Sequence, residues 1–135
     1  IYRTVTDKKM DDVWRIPCLQ PASKEWTGFP TQKHHDLIER IIKIGSNEGD
    51  LVTDFFCGSG TTLTVADKLN RRWIGCDNSR YSIYLTHKRL LDIRKNEENY
   101  VNKNPSIEVY THLDKNKLNL ISSGFFEKDL KIKRK

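Results

Sequence analysis

A chain of 135 residues, 36% of them hydrophobic and 31% charged, can bury one real core under a polar surface. No apolar run approaches a membrane span, and neither a membrane partner nor a secretory leader is expected. The net charge of +6 permits a nucleic-acid partner without requiring one.

Three cysteines (Cys18, Cys57 and Cys76) with no CxxC spacing argue against a disulfide framework and against a zinc site. They fit a reducing, cytoplasmic setting. The only methionine is Met10 and the first residue is Ile1, as expected of a fragment or a processed chain.

Residues 1–33 contain three of the four prolines, two tryptophans and no sustained period, and read as a loop-rich lead-in. Trp14 and Trp26 are expected there as loop anchors. In 34–44, Leu37, Ile38, Ile41, Ile42 and Ile44 fall on one helical stripe. The polar run Gly45 to Asp50 ends that helix and turns into a strand from Leu51 to Phe55. A helix over 61–70 follows, capped by Ser59 or Thr61. Next come a strand over 72–76, a turn at Asp77-Asn78-Ser79 and a helix over 80–94 carrying Ile83, Leu85, Leu90 and Ile93.

Residues 95–105 are polar and read as a loop, and 107–111 alternate as a half-buried strand does. Beyond them, 128–135 hold five bases against Asp129 alone, which predicts a solvated basic tail. The expected organisation is therefore lead-in 1–33, α/β core 34–113 and tail 114–135. About three strands make a short sheet with an edge left unpaired, as in half of a domain.

The most informative stretch is Asp54-Phe55-Phe56-Cys57-Gly58-Ser59-Gly60-Thr61-Thr62. Strand, glycine turn and helix in that order form a cofactor cradle in an open α/β sheet. Gly58 and Gly60 allow close backbone approach, and Asp54 places a carboxylate at the strand's end. Asp77, 23 residues after Asp54, ends the second apolar run and can accept hydrogen bonds from both hydroxyls of a ribose. The third glycine of a nicotinamide fingerprint and the Gly-Lys-Ser/Thr of a phosphate loop are both absent. Phe55, Phe56 and Trp73 are expected in the core. His34 and His35 are adjacent and do not share a helix face, so no metal site is expected there.

A longer series carries a resemblance. Asp11-Asp12-Val13-Trp14-Arg15-Ile16-Pro17, Lys24-Glu25, Gly28-Phe29-Pro30-Thr31-Gln32-Lys33 and Leu37-Ile38-Glu39-Arg40-Ile41-Ile42 lead into the loop, followed by Trp73 to Asp77. Over about residues 11–92 this resembles the C-terminal, cofactor-binding part of the β-class S-adenosylmethionine-dependent DNA amino-methyltransferases of restriction–modification systems. The resemblance implies a partial Rossmann-like methyltransferase fold, a mostly parallel sheet with flanking helices. It also implies S-adenosylmethionine as cofactor and DNA as partner, with methylation of adenine N6 in preference to cytosine N4.

By the same resemblance Thr31 and Lys33 fix the methionine end, and Phe56, Cys57, Gly58, Ser59 and Gly60 underlie methionine and ribose. Thr61 and Thr62 face the carboxylate, Asp77 takes the ribose hydroxyls, Asn78 and Ser79 neighbour the adenine, and Asp54 shapes the loop. The family normally has proline after Lys33, where this chain has His34.

The family holds the flipped base with a Pro-Pro-aromatic segment. No two of Pro17, Pro21, Pro30 and Pro105 are adjacent, so no catalytic residue is assigned and the chain is expected to be inactive alone. The rival is a non-catalytic domain that is truncated or assembles with a separate catalytic chain. A cytosine carbon-5 methyltransferase would need a Pro-Cys nucleophile such as Pro17-Cys18, but here it precedes the loop, the reverse of that group's order.

Overall fold

The computed structural model describes residues 12–96, 107–110 and 119–122. The basic residues of 128–135 lie outside them, and so does most of the loop expected over 95–105, whose first two residues instead belong to a helix that runs to Asn96.

Helix α1 (His35–Gly45) begins without the family's proline. His34 caps it instead, in extended backbone, its Nδ1 accepting the Asp36 N–H at 3.2 Å. Glu39 and Lys43 pair one turn apart on its solvent side. Of the expected apolar stripe, Ile42 is buried and Ile38 packs on the core, while Ile41 and Ile44 are exposed.

Strand β1 (Leu51–Asp54) leads into helix α2 (Thr61–Lys68), strand β2 (Arg72–Asp77) and helix α3 (Arg80–Asn96). Helix α2 is buried over most of its surface, because it lies against β1 and β2 and packs between α1 and α3. Leu63, Val65 and Ala66 of α2 form one core with Ile42, Cys57, Trp73, Ile83 and Leu90.

Trp73 is fully buried, as expected, and its indole N–H donates to Asp67 Oδ1 at 2.8 Å. The expectation for the two phenylalanines is corrected: Phe55 and Phe56 are 56% and 89% exposed. They follow β1 at the point where the chain leaves the sheet, so neither continues the strand's alternation into the core.

Strands β3 (Glu108–Tyr110) and β4 (Asn119–Ser122) complete a four-stranded sheet of order β1-β2-β4-β3. The mostly parallel sheet is also corrected. Only β1 and β2 run parallel, Leu51 beside Arg72 through Asp54 beside Gly75, and β4 pairs antiparallel with both β2 and β3. Parallel pairing needs a long crossover, here α2, whereas β3 and β4 are separated by too short a segment for one. Strand β4 lies within 114–135, the stretch read as a tail.

In β1 the alternation leaves Leu51 and Thr53 exposed while Val52 packs against the core. Helices therefore cover the Val52–Trp73 face. No helix among the described residues is long and apolar enough to cross a membrane.

Candidate cofactor-binding site

The loop between β1 and α2 is tied down at every step. Asp54 Oδ1 accepts the Phe56 N–H at 3.1 Å and closes the turn out of the strand. The Cys57 N–H donates to the Cys76 carbonyl at 3.0 Å, fastening the loop to the end of β2. The Gly58 N–H donates to Asp77 Oδ2 at 2.9 Å, while Asp77 Oδ1 accepts the Ser79 N–H at 2.8 Å. Asp77 therefore clamps the loop and the turn into α3 through both of its oxygens. Ser79 Oγ accepts the Ser82 N–H at 3.3 Å and so caps α3. Asn78 beside it is exposed.

Gly60 closes the loop in the left-handed conformation, φ 75°, its N–H donating to the Cys57 carbonyl at 2.7 Å. It is the N-cap of α2 and supplies no side chain to the first-turn N–H groups, which leaves them for an acceptor from outside the helix. Ser59 and Thr61 are buried, Thr62 is half-buried and Phe56 stands in solvent at the loop's rim. The Thr61 hydroxyl lies 3.3 Å from Ser59 Oγ and accepts from Arg89, so it points inward.

The lead-in segment reaches the loop through Phe29. A side chain at Gly58 would come within 3.1 Å of that ring, which itself stacks on Tyr81 of α3 with centroids 6.4 Å apart. Gln32 holds the segment's shape. Its Oε1 accepts from the Thr27 N–H at 2.9 Å and from the Thr27 hydroxyl at 2.5 Å, and its Nε2 donates to the Glu25 carbonyl at 2.6 Å. Thr31 and Lys33 flank this buried glutamine with exposed side chains.

The structure thus gathers Asp54, Phe56 to Thr62 and Asp77 to Ser79 at one end of β1 and β2. Thr31 and Lys33 lie on the segment whose Phe29 meets Gly58, with no hydrogen bond of their own to the loop among the described residues. Sequence reasoning missed the groups behind the loop. Thr86 Oγ1 donates to the Gly58 carbonyl at 3.2 Å, and Arg89 Nη1 to the Ser59 carbonyl at 2.6 Å. Their i, i+3 spacing on α3 was the available signal.

A cavity of about 400 Å³ lies behind the loop between 24–27, α2 and α3. It shares Arg89 with the loop's contacts and is lined by none of the expected cofactor residues. On α1, His35, Asp36 and Glu39 place potential metal-ligand atoms within 4.8 Å of one another, but Glu39 is already bonded to Lys43.

Burial pushes the Cys57 thiol up to about 12, helped by the charges of Asp77 and Asp54. It is a packing group and no nucleophile. At pH 8, iodoacetamide should label exposed Cys18 and spare Cys57, as read by peptide mass spectrometry; labelling of both in the native chain would contradict this. Because the folded chain keeps a proton that the unfolded chain loses near 9.0, stability should fall as pH rises from there to about 12.

A family model described as DNA methylase, covering N6- and N4-amino methyltransferases, matches residues 2–88. The chain belongs to this DNA methylase family. It is 45% identical over 76 residues to the type II methyltransferase M.EcaI of Enterobacter cloacae, covering 56% of this chain and 17% of the relative. It is 45% identical over 84 residues to the type II methyltransferase M2.DpnII of Streptococcus pneumoniae, covering 62% and 31%. It is 44% identical over 71 residues to the DNA adenine methyltransferase YhdJ of Escherichia coli K12, covering 52% and 24%. The chain thus spans less than a third of the length of these relatives.

Proposed function

We propose that this chain is the S-adenosylmethionine-binding part of a DNA amino-methyltransferase, built on a partial Rossmann-like fold. The observation that carries the reading is the glycine loop clasped to the Asp77 carboxylate at the mouth of an uncapped helix. That arrangement suits a ligand with vicinal hydroxyls at one end and a carboxylate at the other.

Asp77 accepts the ribose hydroxyls, with Asn78 and Ser79 beside the adenine. Cys57, Gly58, Ser59 and Gly60 form the floor, and the first-turn N–H groups of Thr61 and Thr62 face the carboxylate. Thr31 and Lys33 approach the methionine end from the opposite segment, Asp54 holds the turn, and the exposed Phe56 ring closes over the ligand. The cofactor supplies an electrophilic methyl group. The acceptor proposed is the exocyclic amine of adenine rather than cytosine, in line with the likeness to an adenine methyltransferase.

No described residue is assigned to catalysis. A second observation favours assembly with further polypeptide that brings the base-holding segment: among the described residues β1 is an outer strand of the sheet, and its Leu51 and the adjoining Phe55 are exposed. That polypeptide belongs to the same protein or to a separate chain, and until it is supplied the chain binds cofactor without methylating DNA.

Titration calorimetry of S-adenosylmethionine against the wild type and Asp77→Ala tests the cofactor reading. Loss of a charged acceptor for two hydroxyls should weaken binding by about 2–3 kcal/mol, roughly 30- to 150-fold. Equal affinity of the two proteins would refute the assignment of Asp77.

A further inference from the structure

Two arginines of α3 reach inward and meet different partners. Arg94 meets a carboxylate, its Nε donating to Asp67 Oδ2 at 3.1 Å and its Nη2 to Oδ1 at 2.7 Å. Arg89 meets neutral oxygens. Its Nη1 lies 2.6 Å from the Ser59 carbonyl, 3.3 Å from Ser59 Oγ and 3.2 Å from Thr61 Oγ1. Among the described residues no carboxylate forms an ion pair with it. Burial lowers its pKa, with the charge of Glu25 acting the other way. A desolvated guanidinium without a carboxylate partner is a cost to the fold that packing alone does not explain.

We propose that Arg89 is a positioning residue for the carboxylate end of the bound adenosyl amino acid. The inference rests on the cofactor reading above and deepens it. By pinning the Ser59 carbonyl, Arg89 fixes the peptide plane that enters the left-handed turn at Gly60, and so aims the first N–H groups of α2. Its charge adds to the positive end of that helix, where an anion completes it. Thr86, one turn earlier on α3, holds the preceding carbonyl at Gly58 and keeps the two peptide planes in step. Adenine and ribose, which are uncharged, gain much less from Arg89 than the carboxylate does.

The test titrates the full chain and its Arg89→Met and Arg89→Lys variants with two ligands. S-adenosylhomocysteine carries the amino-acid end, and 5′-methylthioadenosine lacks it. Arg89→Met should weaken S-adenosylhomocysteine at least tenfold and 5′-methylthioadenosine by less than threefold, with Arg89→Lys recovering part of the difference. A purely structural arginine would weaken both ligands alike, and that result, or no change with either ligand, overturns the proposal. If circular dichroism shows Arg89→Met to be unfolded, Arg89→Lys decides by the same ratio, a loss confined to S-adenosylhomocysteine supporting the proposal and equal losses overturning it. If the wild type binds neither ligand, the cofactor reading itself fails and takes this inference with it.

Discussion

Gly60→Ala should both destabilise the chain and abolish cofactor binding, the largest functional effect expected of any single methyl group here. Gly60 has φ 75°, where an L side chain costs about 1–2 kcal/mol. A Cβ there would also lie 2.5 Å from Thr86 Cγ2 and Oγ1 and 2.8 Å from Thr86 Cβ. Thr86 cannot swing aside, because it is fully buried, β-branched and bonded to the Gly58 carbonyl. Overpacking of this kind costs a further ~1–3 kcal/mol.

Relief can come only from movement of the loop away from α3, which would break the Arg89 and Thr86 contacts and turn the α2 N–H groups off the ligand. Gly28→Ala is the control: φ is 82° there, but nothing lies within 4 Å of the added atom, so only the conformational penalty remains. Adding Thr86→Ala to Gly60→Ala should recover only part of the loss, since the Thr86 Cβ contact persists. Thermal melts and S-adenosylmethionine titration of the four proteins check the ranking, and Gly60→Ala no worse than Gly28→Ala would sink it.

The parts of this site legible in the sequence are those whose chemistry is local. A glycine that needs a left-handed turn, a carboxylate at a strand end and an amphipathic helix each depend on a few neighbouring residues, so spacing was enough to place Asp54, Gly58, Gly60 and Asp77. The supports of the loop are not local. Arg89 lies 30 positions from Ser59 and Thr86 lies 28 from Gly58, and only the folding of α3 over the loop joins them.

Strand β4 escaped for a similar reason. Asn119-Leu120-Ile121-Ser122 is too short to show a period, and its pairing with β2 comes from a return of the chain across the sheet. Phe55 and Phe56 failed differently. An aromatic ring beside a strand is more often core than not, and what places these two in solvent is the exit of the chain from the sheet at Asp54. An 89% exposed ring on the rim of a proposed cofactor site is then a functional clue that hydrophobicity alone had hidden.

The largest stability effect should come from Asp67, which no motif marks. Its carboxylate is 2% exposed and joins three elements, accepting from Trp73 Nε1 of β2 and from Arg94 Nε and Nη2 of α3 while standing on α2. Asp67→Ala would remove at once the carboxylate paired with the Arg94 guanidinium, 14% exposed, and the acceptor of the buried indole N–H. Removing one partner of a buried pair costs about 3–5 kcal/mol, a large share of the roughly 5–15 kcal/mol that holds a domain of this size. A fall in melting temperature on the order of 15 °C should follow.

Asp67→Asn keeps an oxygen for Trp73 and should cost about half as much. Asp67→Leu with Arg94→Met removes both charges and should lie closer to wild type than Asp67→Ala does, because a buried ion pair offsets its own desolvation only narrowly. The pair also separates the two arginines of α3. Arg94→Met should lower the melting temperature while leaving the ratio of affinities for S-adenosylhomocysteine and 5′-methylthioadenosine unchanged, whereas Arg89→Met should shift that ratio. If Arg94→Met shifted the ratio as far as Arg89→Met, general loosening of α3 would explain both variants, and the distinction between a stabilising and a positioning arginine would be lost.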